Sequence, residues 1–424
     1  MKEDFLHYVW QYKLFTMDDL YTTNHQKIQI LKQGTHNNNS GPDFLQAKIK
    51  IGTELWVGNV EIHLKSSDWY AHHHEKDNQY NAVILHVVYE NDMPVYIENN
   101  QELPTLVIKN HILTDVYINY QKLFSQSLRW IPCEPHINSV DSFLLSNWKE
   151  RLFIERLEQK SVFIKKLLAS QNNNFEVVLF QLLCKNFGLK VNADAFFNLA
   201  TAVDYGIIRK VQHNDNQLSA LLFGQAGFLE ETTLEDPYYK SLQEEYKYLQ
   251  HKFRLKSISK INFQFFRMRP ANFPTIRLAQ LIGLYHHHHN LFVKLMNTQS
   301  LEDFYNVFNI SIHEYWKTHY TFDKTSKKSA KKITKSMVDL LVINTIVPLQ
   351  FVWQQSRGAL NQEKILQLIK EIKPEKNAII SKFSDIKIPS NNAFETQALL
   401  QLKNNYCTLK RCLQCAIGNS LINN

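Results

Sequence analysis

Glycine and proline are scarce in this chain, with only 11 of each among 424 residues. Neither GxGxxG nor GxxxxGK[ST] occurs, so we expect no glycine-rich loop of the kind that cradles nucleotide phosphates, and no nucleotide cofactor. Low-complexity linkers and fixed-period repeats are lacking as well. The five cysteines are an odd number, and their spacing does not suggest a secreted disulfide framework.

Long hydrophobic runs are also lacking. The longest, MVDLLVINTIVPLQFVW (337–353), is interrupted by Asp339 and Pro348 and is too short to cross a bilayer. The opening stretch, MKEDFLHYVWQYKLF, mixes charges into an amphipathic helical pattern and does not read as a signal peptide. We therefore predict no membrane association and a cytoplasmic location.

Apolar residues are nevertheless plentiful, at 44% hydrophobic and 12% aromatic, which is ample for packed cores. Lysine and arginine (48) exceed aspartate and glutamate (40), and the formal net charge is +8. This mild surplus favours an anionic partner such as DNA or RNA. The sequence does not predict the oligomeric state.

The two ends of the chain have different periodicities, which predicts an α+β protein. Residues 1–111 contain an opening helix and short alternating segments rich in β-branched and aromatic residues, typical of strands. These segments are KIQILK (27–32), FLQAKIKI (44–51), LWVGNVEIHLK (55–65), AVILHVVYE (82–90), PVYIE (94–98) and TLVIK (105–109). Residues 112–424 have a helical period instead. We predict a mixed α/β module followed by a large all-α region, which is either continuous or divided into two lobes.

The strand at 55–65 places polar side chains on one face. Glu61, His63 and Lys65 alternate with apolar residues, so they point to the same side of the sheet. A hairpin with the strand at 44–51 brings Asp43 near Glu61. Two carboxylates at one spot are the oxygen ligands that Mg²⁺ or Mn²⁺ requires, and such an ion activates water and neutralises a phosphodiester transition state. The alternative is an ordinary hairpin with a solvated polar face.

Histidines surround this strand in the sequence. The segment SSDWYAHHHEKD (66–77) carries Asp68, His72, His73, His74 and Asp77, and a further histidine interrupts the apolar strand VILHVV (83–88). Three consecutive imidazoles cannot all face one ion, so we expect most of them on the surface. The histidine within VILHVV, His86, is a candidate metal ligand or support for one, or is simply hydrogen-bonded packing.

Pro42-Asp43 and Glu61-Ile62-His63, 18 positions after Asp43, resemble the signature of the PD-(D/E)XK nuclease superfamily. There a helix precedes three strands, a Pro-Asp turn opens one strand and an acid-x-lysine tripeptide lies on the next. The resemblance implies that Asp43 and Glu61 are metal ligands, together with the carbonyl of Ile62. His63 stands where the superfamily has its lysine. His63 is then the base, or Lys65 replaces the lysine, or the site is inactive.

Other stretches resemble a bacterial family catalogued as domain of unknown function 2851. They are GPDF, GNVEIHLKSSDWYAH, ILHVVYEND, LLFGQAGFL, RMRPANFPTIRLAQL, INTIVP and YCTLKRCLQCAIG, and they are distributed from end to end of the chain. The resemblance implies no established activity. It supports the choice of motifs rather than a chemistry.

Three cysteines lie close together near the C-terminus. Cys407, Cys412 and Cys415 form a C-x4-C-x2-C pattern, and Cys133 in WIPCEPH is the best candidate for a fourth ligand, with His136 as another. Such a set suits a Zn²⁺ ion or an iron–sulfur cluster. The other interpretation is that they are small buried hydrophobic residues on a final helix.

Two basic segments are candidates for nucleic-acid contacts. In KTSKKSAKKITKS (324–336) a helix would align Lys324, Lys328, Lys331 and Lys335 on one stripe, although a lysine-rich face is more often merely solvated. In FRMRPANFPTIR (266–277) three arginines, Arg267, Arg269 and Arg277, surround two prolines. They are candidates to bind phosphate bidentately, or else they form salt bridges that hold helices together.

The leading hypothesis is a nuclease or nucleic-acid-processing protein that uses Mg²⁺ or Mn²⁺ to hydrolyse phosphodiester bonds. One alternative is a non-catalytic scaffold that binds nucleic acid or protein. Another is a zinc hydrolase, which would need His63 and His86 together with one of His72 to His74 at a single ion.

Overall fold

A mixed six-stranded sheet forms the N-terminal part of the protein. The computed structural model describes residues 1–37, 39–98, 100–125, 129–255, 263–322 and 324–423. The strands are β1 (Ile28–Lys32), β2 (Thr35–His36), β3 (Phe44–Ile51), β4 (Glu54–Lys65), β5 (Val83–Glu90) and β6 (Thr105–Val107). Their order is β1-β3-β4-β5-β6, and β2 also pairs with β3. The strand predicted at 94–98 does not form, since only Tyr96 makes an isolated bridge, to Glu102.

The direction of the strands changes in the middle of the sheet. β3 and β4 form the predicted antiparallel hairpin, whereas β4 and β5 run parallel, as do β5 and β6. Parallel neighbours need a crossover connection. Residues 66–82 supply it, and we call them the crossover segment. It contains the short helix α2 (Asp68–Ala71) and two 3₁₀ turns, His74–Lys76 and Asn78–Tyr80.

Gly58 allows β5 to begin close against β4. A Cβ atom at this position would lie 2.4 Å from Cγ2 of Ile84 and 2.5 Å from the carbonyl oxygen of Ala82. Asn59 N donates to that same carbonyl oxygen at 2.8 Å. A side chain at position 58 would therefore separate the two strands that carry Glu61 and His86.

The chain forms two compact units, Met1–Trp148 with Leu402–Asn424, and Lys149–Gln401. In the first, Asn119 of α3 (Thr114–Phe124) donates to the carbonyl of Ile422 in α19 (Ala416–Asn423). Asn423 donates to the hydroxyl of Tyr8 in α1 (Glu3–Gln11). The boundary predicted at 111/112 lies inside this unit. That prediction followed a change of periodicity along the sequence, which does not reveal that the C-terminal helix belongs to the first unit.

The second unit is helical throughout its regular elements in the described residues. α4 (Ser142–Ser170) leads into it from the first unit, and α5 (Phe175–Phe187), α6 (Leu189–Ala202), α7 (Tyr205–Val211), α8 (Asp215–Gln225), α9 (Pro237–Phe253), α10 (Pro274–His287) and α11 (Leu291–Asn297) follow. Then come α12 (Leu301–Val307), α13 (Tyr315–Thr318), α14 (Lys335–Leu341), α15 (Val347–Ser356), α16 (Gln362–Glu371), α17 (Ala378–Asp385) and α18 (Ala393–Gln401). The predicted α+β class is confirmed.

The lysine-rich segment is not a helix. Residues 324–334 are irregular apart from one bridge, and α14 begins only at Lys335. Ser326 N and Ser329 N donate to the carbonyls of Thr318 and Lys317, so tertiary hydrogen bonds replace the helical ones. The predicted stripe of Lys324, Lys328, Lys331 and Lys335 is therefore wrong.

The longest apolar helix is longer than the sequence suggested. It runs from Lys335 to Ser356 through a π-helical turn, Val342–Ile346, and its 22 residues suffice to cross a membrane by length and composition. The expectation that this run is too short is therefore wrong. In the structure 72% of its most apolar window is buried inside the protein, as in the core helix of a folded unit.

Candidate metal centre

The two predicted carboxylates meet where β3 begins beside β4. Asp43 N donates to Oε2 of Glu61 at 3.1 Å, and Ile62 N donates to Oδ2 of Asp43 at 2.9 Å. This reciprocal arrangement follows from the hairpin register, in which Phe44 pairs with Val60. The bend at Pro42 thus places both acidic side chains at the same end of the hairpin.

Two imidazoles approach Glu61, and a third contacts one of these two rings. Oε1 of Glu61 lies 3.3 Å from Nε2 of His74 and 3.6 Å from Nε2 of His63. Nδ1 of His72 lies 3.2 Å from Nε2 of His63. The ligand atoms of His63, His72 and His74 all lie within 4.8 Å of one another. We call these three residues with Glu61 the histidine cluster.

The crossover segment turns two of its three consecutive histidines towards the sheet. His72 ends α2, and His73 then adopts a left-handed conformation with φ 62° and stays exposed. This reversal directs His74 back to Glu61, where Tyr80 stacks on its ring at a centroid distance of 3.7 Å. His72 and His73 are exposed, as expected for most of the run, although His72 faces the cluster, and His74 is partly buried.

Serine and aspartate side chains anchor the start of the crossover segment. The hydroxyls of Ser66 and Ser67 donate to the two carboxylate oxygens of Asp92, at 2.9 and 2.7 Å. These bonds, the one from Ser67 being the strongest, lower the pKa of Asp92 to about 2. Asp68 accepts from the amide of Lys65 and Asp77 from that of Gln79. The acidic residues of this region therefore hold the backbone and are not part of the cluster.

His86 supports the cluster from the neighbouring strand. It pairs with Glu61 in the parallel register and is fully buried. Its Nε2 lies 2.9 Å from Nδ1 of His63, while its own Nδ1 is buried without a partner. His86 thus contacts the far side of His63 and fixes that ring, as expected of a residue that orients a metal ligand.

Helix α1 adds two residues that the sequence analysis missed. His7 Nε2 lies 3.3 Å from Oδ2 of Asp43, a close contact without hydrogen-bond geometry, and 3.9 Å from Oε1 of Glu3. The spacing of Glu3 and His7, four residues apart on an amphipathic helix, was the available signal. It could not show that this helix face meets Asp43, which is a tertiary contact.

The electrostatics of the site favour a cation. Burial, and then the charge of Asp43, raises the pKa of Glu61 to about 9. Burial, and then the neighbouring imidazoles, lowers the pKa of His63 to about 2, and burial lowers that of His86 to about 3. Among the described residues no lysine or arginine forms an ion pair with Asp43 or Glu61. The site therefore places the neutral imidazoles of His63 and His86 beside two acidic groups that have no lysine or arginine partner among the described residues.

His7 behaves differently from the other histidines. Burial alone would lower its pKa, but the Asp43 carboxylate opposes this and, with smaller contributions from Glu3 and Asp4, leaves the pKa of His7 above its usual 6.5. His7 therefore carries a positive charge more readily than His63 or His86, whose pKa values burial lowers.

Lys65 does not join the site. Its side chain is exposed at the end of β4, and no ion pair links it to Asp43 or Glu61 among the described residues. By the alternation of β4 it lies on the same face of the strand as Glu61 and His63, as predicted. However, the strand extends beyond the site, so position 65 reaches solvent.

The four predicted cysteines gather in the first unit. Cys133, Cys407, Cys412 and Cys415 are all buried and free of disulfides. Burial, followed by the thiols of Cys415 and Cys412, raises the pKa of Cys133 to about 12. Lys403 Nζ donates to the carbonyl of Trp130, which brings the two stretches of chain together. The four sulfurs do not all lie within 4.8 Å of one another, unlike the histidine ligand atoms.

The predicted basic residues of the second unit do not form one surface, although Arg277 and Lys331 line the same pocket. Arg267, Arg269 and Lys328 are exposed, and Lys335 lies 3.4 Å from Glu302. Lys331 directs its ammonium to the carbonyls of Trp316 and His319. Arg277 is buried and forms no salt bridge among the described residues, contrary to the alternative that it links helices by ion pairs.

Fold and site together define an α+β protein with a histidine and carboxylate cluster on a mixed sheet. The chain belongs to the family described as protein of unknown function (DUF2851), whose sequence model matches residues 3–378. The cysteine-containing stretch 406–418 lies beyond the matched residues, so the match does not extend from end to end. No curated protein and no solved structure matches the chain.

Proposed function

We propose that this protein is a metal-dependent hydrolase of phosphodiester bonds in nucleic acid, and that the histidine cluster holds its ion. The observation that carries the proposal is the convergence of Glu61 Oε1 with the nitrogens of His63 and His74, at 3.6 and 3.3 Å. Side chains from a strand and from the crossover segment supply these atoms. A polar strand face that is merely exposed to water would not require side chains from two different elements to contact one another.

The donor set fits a divalent transition metal. Imidazole nitrogens suit Zn²⁺, and Mn²⁺ accepts them more readily than Mg²⁺, which prefers oxygen ligands and retains water. Of the two ions expected from the sequence, the cluster therefore favours Mn²⁺ over Mg²⁺, and its nitrogen ligands suit the Zn²⁺ of the alternative hypothesis better still. Burial keeps His63 neutral, the form in which imidazole binds metals.

A bound divalent ion would supply Lewis-acid activation of water and neutralise charge on the scissile phosphate. The chain's own residues prepare the site for this. His86 holds the Nδ1 side of His63, so that Nε2 faces Glu61. Tyr80 and Trp69 pack against the ring of His74 and restrict its orientation.

The proton acceptor for water is best sought at Asp43 and His7. Both nitrogens of His63 are engaged, one by His86 and one within the cluster, and Lys65 is exposed. Asp43 and His7, 3.3 Å apart, border the cluster through the contact of Asp43 with Glu61. A carboxylate beside an imidazole can accept and pass on a proton.

Nucleic acid is the substrate that the charge and topology favour. The chain carries a net charge of +8. As in the PD-(D/E)XK superfamily, a helix precedes three strands, a Pro-Asp pair opens β3 and Glu61-Ile62-His63 lies on β4. These similarities support the nuclease reading over a zinc hydrolase acting on another substrate. The non-catalytic scaffold remains the alternative if no cleavage occurs.

The test combines metal binding with cleavage of linear, circular and single-stranded DNA and of RNA. We expect Mn²⁺- or Zn²⁺-dependent cleavage that His74→Asn and Glu61→Gln reduce by at least about 100-fold. His73→Asn is the matched control, because His73 is exposed in the same run and asparagine tolerates its left-handed backbone. Metal binding without cleavage of any substrate would refute the nuclease assignment, and equal metal affinity in all variants would refute the site.

We also propose that Cys133, Cys407, Cys412 and Cys415 hold a structural zinc ion or iron–sulfur cluster. Their burial and their convergence from stretches about 270 residues apart in sequence support this. Binding requires the thiols to draw together and lose their protons. Anaerobically purified protein should contain stoichiometric zinc, or iron with a visible absorption band, which Cys412→Ser removes. Cys184→Ser is the control. Purified protein that contains neither metal would mean that the four cysteines are only small buried hydrophobic residues.

A further inference from the structure

A pocket of about 260 Å³ in the second unit has a basic wall. Arg277, Lys331 and Lys332 contribute to its lining, together with the hydroxyl-bearing residues Thr334 and Ser336. No aspartate or glutamate occurs among its described lining residues. The pocket is formed by α10, the start of α14 and the irregular lysine-rich segment that precedes α14.

The guanidinium of Arg277 is held in place by two neutral amides. Its Nη1 donates to Oε1 of Gln280 at 2.9 Å, and its Nη2 donates to Oδ1 of Asn272 at 2.6 Å. Gln280 in turn donates through Nε2 to the carbonyl of Lys331 at 2.8 Å. The side chain is thus fixed by a hydrogen-bonded chain that runs through the pocket wall.

Arg277 is nevertheless a buried cation without a counter-ion. Only 8% of the residue is exposed, its Nε is buried without any hydrogen-bond partner, and no salt bridge to it occurs among the described residues. Burial lowers the pKa of Arg277 to about 10, and no acidic neighbour opposes that shift. An unpaired buried charge is costly, so its retention in a fixed orientation beside an open pocket calls for an anionic partner.

The other polar groups of the wall suit the same ligand. Thr334 and Ser336 place their hydroxyls 3.1 Å apart, and both residues are exposed at the pocket. Lys332 is also exposed and donates to the neutral amide of Asn309, at 3.1 Å. Lys331 contributes backbone rather than charge, because its ammonium is bound to the carbonyls of Trp316 and His319.

We propose that this pocket binds a phosphate group, with Arg277 as its principal ligand and the hydroxyls of Thr334 and Ser336 beside it. A planar guanidinium with free N–H groups matches the oxygens of phosphate, and its bonds to a charged acceptor are about twice as strong as neutral ones. The volume exceeds that of inorganic phosphate, so the pocket has room for a larger phosphorylated molecule. The inference does not depend on the metal centre.

The experiment is calorimetric titration of the full chain with inorganic phosphate at constant ionic strength. We expect saturable binding to one site, weakened about 10- to 100-fold in Arg277→Met. Arg357→Met is the matched control, because Arg357 is exposed, lies outside the pocket lining and should leave phosphate affinity unchanged. Absence of saturable binding by the natural chain in the millimolar range, or equal loss in both variants, would overturn the proposal.

A second variant keeps the test valid if Arg277→Met does not fold. Ser336→Asp introduces the missing carboxylate at an exposed pocket position in the first turn of α14, where aspartate is favourable. We expect it to weaken phosphate binding at least about 10-fold, whereas Ser329→Asp, exposed in the same basic segment, should not. Equal weakening by both would mean nonspecific attraction to lysines and would refute the site.

A competition arm identifies the source of the phosphate. A short single-stranded oligodeoxynucleotide that displaces inorganic phosphate from the natural chain would identify a nucleic-acid backbone as the source. Displacement by a nucleoside monophosphate alone would identify a small phosphorylated ligand. The result is independent of cleavage activity, so failure here and failure of the metal centre are distinguishable.

Discussion

Nδ1 of His63 and Nε2 of His86 lie 2.9 Å apart between two parallel strands, at the bottom of the histidine cluster. The contact determines how His63 can act. If Nε2 of His63 binds a metal ion, its proton must lie on Nδ1 and be donated to His86. The buried Nδ1 of His86, which has no partner, then carries the second proton.

Replacing His86 should therefore weaken metal binding without removing a ligand. We expect His86→Leu to lower Mn²⁺ or Zn²⁺ affinity about 10- to 100-fold, because His63 loses the acceptor that fixes its tautomer. His86→Gln offers an amide oxygen and should recover part of that loss. Titration calorimetry on both variants, with circular dichroism to verify folding, checks this. Unchanged affinity in His86→Leu would mean that His86 only packs in the sheet.

The anchoring of the crossover segment by Asp92 gives a second prediction. Asp92→Ala removes the acceptor for Ser66 and Ser67, so His72 and His74 should be held less firmly. We expect metal affinity to fall although every residue of the histidine cluster is retained. Glu90→Ala is the control, because Glu90 is exposed at the nearby end of β5. An equal effect of the two substitutions on metal affinity would contradict preorganisation by Asp92.

The raised pKa of Glu61 predicts the pH dependence of stability in metal-free protein. The pKa of Glu61 is about 9 in the folded chain against an ordinary value of 4.5, so between these values folding takes up a proton. The contribution of Glu61 to stability is therefore present at low pH and is lost as the pH rises towards 9. His63 and His86 act oppositely below pH 6.5, because their pKa values are lowered.

Calorimetric melting of chelator-treated protein at pH 6.5 and pH 9 measures this effect. We expect the melting temperature to fall less between pH 6.5 and pH 9 in Glu61→Gln than in the natural chain. Glu54→Gln, exposed at the other end of β4, should follow the natural chain. A pH dependence that is the same in all three proteins would show that Glu61 ionises normally.

The close approach of β4 and β5 at Gly58 gives a prediction of stability. Gly58→Ala places a Cβ atom 2.5 Å from a backbone oxygen that cannot move freely. We expect a loss of about 2–3 kcal/mol, typical of overpacking, together with weaker metal binding. Gly52→Ala is the comparison, since position 52 is open but has φ 59°, so only conformational strain of about 1 kcal/mol applies. If chemical denaturation shows equal losses in the free energy of unfolding for Gly58→Ala and Gly52→Ala, the steric argument is refuted.

Local periodicity was sufficient to predict the hairpin and its polar face. The alternation of β4 places Glu61 and His63 together, and the hairpin register brings Asp43 to them. Both are consequences of the two-residue period of strands. Lys65 has the right parity but lies beyond the site, which only the length of the strand reveals.

The rest of the site depends on tertiary structure. The direction of His74 follows from one left-handed residue, His73, and the contact of His7 with Asp43 follows from the position of α1 against the sheet. Neither is encoded by a local pattern. The irregular lysine segment is a similar case, because hydrogen bonds to residues 317 and 318 override its helical propensity.

The most direct measurement of the central claim is an anomalous difference map of crystals soaked in Mn²⁺. The account predicts a peak about 2.2 Å from Oε1 of Glu61 and from Nε2 of both His63 and His74. It also predicts that the peak is lost in His74→Asn and retained in His73→Asn. A map without a peak among these atoms, from crystals that bind Mn²⁺ elsewhere, would contradict it.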